Sequence, residues 1–189
     1  MKNVMIKSAT ALSALILAGA AFAQTSEVGQ RAENQQDRVA QGVKSGQLTA
    51  GETANVENKE ATINHEVRAD RAQNGGKLTG QEKQVVNQQQ NQMSRQIAQD
   101  KHNAAKQNFG NSEVGTRAEN QQDRIANGIA SGKMNASQAA HVEKNEAAVN
   151  QEVHTDRTLN GGKLSGAEKA QVNHQQNQMS RKIYKDKHS

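Results

Sequence analysis

The chain has no cysteine, no proline and no tryptophan, and its aromatic residues are two phenylalanines and one tyrosine. Without cysteine there is no disulfide, no thiolate metal site and no thiol nucleophile. Without proline nothing in the sequence forces a helix to break. Phe22 lies in an N-terminal leader-like stretch, which leaves Phe109 and Tyr184, too few to stack the bases of a single-stranded nucleic acid. After residue 21 no apolar run approaches the roughly 18 residues of a membrane span. Also missing are a G-x-S-x-G elbow, a phosphate loop ending in Lys-Ser/Thr and an H-E-x-x-H pair. These absences imply no catalytic residues and no enzyme.

What is present begins with residues 1–23. Lys2 and Lys7 precede a largely apolar run from Ala11 to Ala21, and the small residues Ala21 and Ala23 flank Phe22. That is the pattern of a secretory signal peptide cleaved near Ala23, so the mature chain is expected in the periplasm or outside the cell. No cysteine follows the run to carry a lipid anchor. The chain has 24 basic and 19 acidic residues, and cleavage removes two of the lysines, leaving a net charge of +3. This mild charge has no basic tract and implies no nucleic-acid partner.

The remainder is duplicated. Ser26 to Asn103 aligns without gaps to Ser112 to Ser189 at an offset of 86, with 48 of 78 positions identical. The division is a first repeat unit at 24–103, a linker at 104–111 and a second unit at 112–189. The linker contains Phe109-Gly110-Asn111, a plausible helix stop. Within each unit a weaker offset of 30 relates Gly46, Leu48, Thr49 and Glu52 to Gly76, Leu78, Thr79 and Glu82.

Apolar residues then fall at steps of seven and four. The triplets are Val28, Gln35, Val39; Val56, Ile63, Val67; and Val86, Met93, Ile97 in the first unit. Their counterparts are Val114, Gln121, Ile125; Val142, Val149, Val153; and Val172, Met179, Ile183. Such steps draw one narrow stripe along a helix, so each unit is expected to hold three helices. The position inside each stripe is Ala32, Glu60 or Gln90, and Ala118, Glu146 or Gln176, which predicts a small or polar layer in mid-bundle. With about a dozen large apolar residues per unit the cores are thin, and oligomerisation is a possible remedy. The fold class is all-α, a tandem duplication of a three-helix, hairpin-like unit forming small bundles or extended helices.

Between the stripes a punctuation motif recurs at 46–52, 76–82, 132–138 and 162–168. Glycine ends one helix in the left-handed conformation, and a hydroxyl or amide residue followed three positions later by Glu or Gln caps the next. The predicted capping residues are Gly46, Thr49, Glu52; Gly76, Thr79, Glu82; Gly132, Asn135, Gln138; and Gly162, Ser165, Glu168. Leu48, Leu78, Met134 and Leu164 precede the caps, where a side chain can fold back onto the bundle.

Two resemblances attach to this motif. Gly76, Leu78 and Glu82 resemble positions 6, 8 and 12 of an EF-hand loop, as do Gly46, Leu48, Glu52 and Gly162, Leu164, Glu168. Ligand positions 1, 3 and 5 would then be Arg71, Gln73 and Gly75, or Arg157, Leu159 and Gly161, which are poor oxygen donors for a hard cation. A shifted register gives Asp70, Asn74 and Glu82, or Asp156, Asn160 and Glu168, as calcium or other metal ligands. Leu48-Thr49-Ala50-Gly51-Glu52 and Leu78-Thr79-Gly80-Gln81-Glu82 are similar to the LTxxQ box of Spy-like periplasmic proteins, with Glu for Gln. Met134-Asn135-Ala136-Ser137-Gln138 keeps the Gln. The resemblance covers only these boxes and implies a helical binding protein for unfolded or envelope partners, chaperone-like in envelope stress. Histidines 65, 102, 141, 154, 174 and 188 are dispersed and read as exposed polar residues. The sequence therefore leads to an exported, non-enzymatic binding protein without a cofactor, with calcium binding as the alternative.

Overall fold

The computed structural model describes residues 26–189, and the leader-like segment 1–23 lies outside the described residues. Within them the chain is all-helical: α1 (Glu27–Lys44), α2 (Ala50–Gln73), α3 (Gly80–His102), α4 (Glu113–Ala130), α5 (Ala136–Leu159) and α6 (Gly166–Lys187). No helix among these is long and apolar enough to cross a membrane.

The turns follow from local chemistry. After α1, Gly46 takes φ +65°, and the Leu48 N–H returns to the Gly42 carbonyl at 3.0 Å. This drops the Leu48 side chain onto Gly42, where a Cβ would meet it at 2.6 Å. Met134 covers Gly128 in the same way, its amide bonding to the Gly128 carbonyl at 3.0 Å. A helical glycine is costly in isolation, and here it makes room for the residue that closes the turn. After α2, Gly75 and Gly76 have φ +64° and +91°, so the chain reverses where only glycine does so without strain.

Every residue of the six seven-then-four triplets is buried. The polar layer is present as well: Glu60, Gln90, Glu146 and Gln176 are buried, with Ala118 buried and Ala32 half-buried beside them. α3 bridges α1 and α2, which barely touch one another, and α6 bridges α4 and α5 likewise. The two splayed pairs then face each other, α1 on α4 and α2 on α5, the last being the most extensive contact in the protein. α3 and α6 are left on opposite outer sides.

The α2–α5 crossing is antiparallel. A Cβ on Gly51 would lie 4.0 Å from the Ala147 Cβ, and further along α2 Glu57 is in the electrostatic field of Glu143, which comes earlier on α5. Glu57 and Glu143 are counterparts at the 86-residue offset, so a local two-fold axis relating the repeats passes beside them.

The sequence reading expects a separate thin core in each unit, and here the structure differs. Its main apolar cluster joins Val39, Val56 and Ile97 of the first unit to Ile125, Val142 and Ile183 of the second. A smaller cluster of Val114, Val149, Val153, Val172 and Met179 belongs to the second unit alone. The reason is area: a stripe of one residue per turn or two gives each three-helix unit only a thin core of its own. Ala40, Val43, Ala126 and Ile129, outside the stripes, are buried in the cluster that spans both units. Full burial of each Val or Ile contributes about 1.5–3 kcal/mol.

Candidate functional site

The motif residues form reciprocal caps at four helix starts. Thr49 accepts from the Glu52 amide at 3.3 Å, while Glu52 accepts from the Thr49 amide at 2.9 Å. Thr79 and Glu82, Asn135 and Gln138, and Ser165 and Glu168 repeat the exchange. All four motif glycines sit at turns rather than at a shared site: Gly46, Gly76, Gly132 and Gly162 have φ +65°, +91°, +65° and +92°.

The alternative cation residues lie on the same turns. Asn74 donates its Nδ2 to both carboxylate oxygens of Glu82, at 2.8 and 2.9 Å, and Asn160 does the same to Glu168 at 2.9 and 2.8 Å. The Thr79 amide, then the Asn74 amide, hold the Glu82 carboxyl below its ordinary range, and the Ser165 amide leads the same effect at Glu168. Asp70 is pushed up by desolvation and by Glu82, and Asp156 by desolvation and by Glu168. The carboxylates are thus engaged by N–H donors from protein, and among the described residues no three acidic, histidine or cysteine side chains converge as a metal site. All six histidines are exposed; His102 and His188 bond the carbonyls of Ala98 and Tyr184, each at 2.7 Å.

Sequence reasoning placed Glu60 and Glu146 in a polar layer and missed the other half of the most unusual group. Glu57 and Glu143 lie next to the stripe rather than on it, yet both are 0% exposed, with Glu60 and Glu146 one turn on at 1% and 0%. Gln36 from α1 donates to Glu57 at 3.3 Å, and Gln122 from α4 donates to Glu143 at 2.9 Å. Asn64 donates to Glu60 at 3.1 Å, and neither oxygen of Glu146 has a protein partner. One signal was available: between 53 and 63 the only residues identical in both repeats are Ala54, Val56, Glu57, Glu60 and Ala61.

Burial removes water from a carboxylate and penalises its charge, so all four pKa values rise. Glu57 is pushed to about 8 by burial, then by the Glu60 charge. Burial raises Glu60 to about 7 and Glu146 to about 8, and holds Glu143 well above its ordinary range. No cation among the described residues offsets this. Arg38 and Arg124, on the helices that carry Gln36 and Gln122, bond the Ser94 and Ser180 carbonyls instead, each at 3.0 Å.

The buried glutamines around the cluster add to the same imbalance. Gln35 donates to the Gln90 carbonyl at 2.6 Å and to Ser94 at 2.7 Å, and Gln90 donates to the Val28 carbonyl at 2.9 Å. Gln121 and Gln176 repeat this in the second unit. All four leave their Oε1 unpaired, as do Glu57 and Glu143, so the interior has more acceptors than donors.

On the outside, each unit has an open groove between its second and third helices. The first, about 360 Å³, has Ile63 and Met93 as floor and Asn58, Thr62, Gln89 and Gln92 as rim. The second, about 460 Å³, has Val149 and Met179 below and Asn145, Ala148, Gln175 and Gln178 above. A further cavity, about 690 Å³, lies where linker residues Gln107 and Phe109 meet α4 and α5.

In comparisons with known proteins, no family model, no curated protein and no solved structure matches the chain.

Proposed function

We propose that this is an exported, non-enzymatic binding protein of the bacterial envelope, chaperone-like in holding extended segments of unfolded polypeptide. The observation that carries the reading is the groove found on both repeats, with an apolar floor of Ile63 and Met93 or Val149 and Met179 beneath a rim rich in amide side chains, joined by Lys59 on the first and by His141 and Lys182 on the second. Methionine adapts to side chains of varied shape, which suits a site that must accept many sequences. Rim amides such as Gln92 and Gln178 offer both a donor and an acceptor to an extended backbone, which presents the same pair. Two grooves on one chain raise the effective concentration of the second once the first is filled. The LTxxQ-like boxes point to the same class of protein, and signal-peptide cleavage near Ala23 would deliver it to the same compartment.

The test is light scattering of a chemically unfolded client protein. Near-stoichiometric wild-type chain is expected to suppress its aggregation, and the exposed substitutions Gln92→Trp and Gln178→Trp, which fill both grooves, to abolish suppression. No suppression by the wild type at tenfold excess would overturn the reading.

A further inference from the structure

We infer that the contact between the two repeats is a proton-dependent latch, shut while Glu57, Glu60, Glu143 and Glu146 carry protons and opened when they ionise. The inference rests on where the four carboxyls sit. They are the buried carboxyl groups of α2 and α5, the helix pair that forms the largest contact between the units. Glu143 lies within electrostatic reach of its own counterpart Glu57, beside the local two-fold axis, so any charge gained on one unit is repeated on the other.

The groups around them are neutral or like-charged. From α1 and α4 come the neutral Gln36 and Gln122, and from α3 and α6 the buried Gln90, Met93, Ile97 and Gln176, Met179, Ile183. Of the acidic groups on those outer helices, Asp186 pairs with Lys182, and Asp100 is in the field of Glu52 and Lys59. The charges acting on the cluster are its own members, Glu60 on Glu57 and both Glu146 and Glu57 on Glu143. Five carboxylate oxygens of the cluster have no protein donor, and the neighbouring glutamine Oε1 atoms are acceptors without a partner. Four protons would neutralise the charges and add donors where only acceptors stand. Without them, four like charges would share a space closed to water, which the contact cannot sustain.

Opening separates the repeats while leaving the helices formed, since each helix keeps its own caps and backbone bonds. It would also uncover the faces of Val39, Val43, Ile125 and Ile129 that the units now hide from water.

The chain has no cysteine, so the exposed counterparts Gln99→Cys and Lys185→Cys on α3 and α6 can carry a spin-label pair in the full-length protein. One narrow distance population is expected at pH 5 and a broad, longer one at pH 9, with a midpoint between 7 and 8 and unchanged helicity. In the Glu57→Gln/Glu143→Gln background the midpoint is expected to move up or disappear. Equal distances at pH 5 and pH 9, or opening that the glutamines leave unaltered, would overturn the inference. Should that variant fail to fold, carbon-13 NMR of the wild-type glutamates decides. Four carboxyls titrating above pH 6.5 together with opening support the latch, and titration of every glutamate below pH 5.5 refutes it.

Discussion

Glu82 and Glu57 belong to the same repeat and have the same side chain, yet the protein moves their acidities in opposite directions. Glu82 sits on an exposed turn with N–H groups from Thr79 and Asn74 aimed at it, and its charged form is favoured. Glu57 sits between helices with one amide donor and a second carboxylate as neighbours, and its neutral form is favoured. Glu168 and Glu143 reproduce the contrast in the second repeat. Donors at a helix start act locally, whereas burial between units depends on how the whole chain packs. The turn therefore punctuates the fold at any ordinary pH, and the interior makes the fold answer to pH.

The sharpest way to break this contrast is to remove the charge from the interior alone. Glu57→Gln/Glu143→Gln keeps the size and the amide-compatible oxygen but cannot ionise. At pH 8.5 it is expected to stabilise the protein by about 2–4 kcal/mol in thermal melts followed by circular dichroism, and to have little effect at pH 5. Next in size is Gly42→Ala. The new methyl would meet Leu48 at 2.6 Å in a closed turn, and a loss of about 1–3 kcal/mol is expected in urea unfolding. Smaller still is the exposed turn itself: Thr79→Ala removes one cap acceptor and should cost about 1 kcal/mol, equally at pH 5 and pH 8.5. The smallest effect is expected from calcium. Because Asn74 and Thr79 already hold the Glu82 carboxylate, millimolar calcium should leave the melting temperature within about 1 °C, a claim that isothermal titration also checks.

Much of this was legible in the residues. Val28, Val39, Ile63, Met93 and Ile97 announce themselves by spacing, because a side chain's place around its own helix depends only on helix geometry. Thr79 with Glu82 is legible for the same reason, since a cap involves four consecutive residues. The pairing of α2 with α5 was not legible. α2 buries one face with Val56, Ile63 and Val67, which spacing reveals, and a second with Ala54 and Glu57, which has no large apolar residue to mark it. Glu57 therefore reads as one more surface charge, and its burial becomes visible only when the second unit covers it. The grooves were hidden likewise, because Gln92 and Met93 are neighbours on one helix but form rim and floor only beside Asn58 and Ile63.

The most direct measurement is the melting temperature of the full chain between pH 4.5 and 9. The folded pKa values of Glu57, Glu60 and Glu146 lie above the ordinary 4.5, so the folded state holds protons that the unfolded chain has released. Their contribution to stability is then complete below about pH 4.5, falls as the pH rises, and is lost by about pH 8. The account predicts a melting temperature roughly 10–20 °C lower at pH 8.5 than at pH 5. A profile that is flat, or that rises with pH as paired surface carboxylates would make it, contradicts the account.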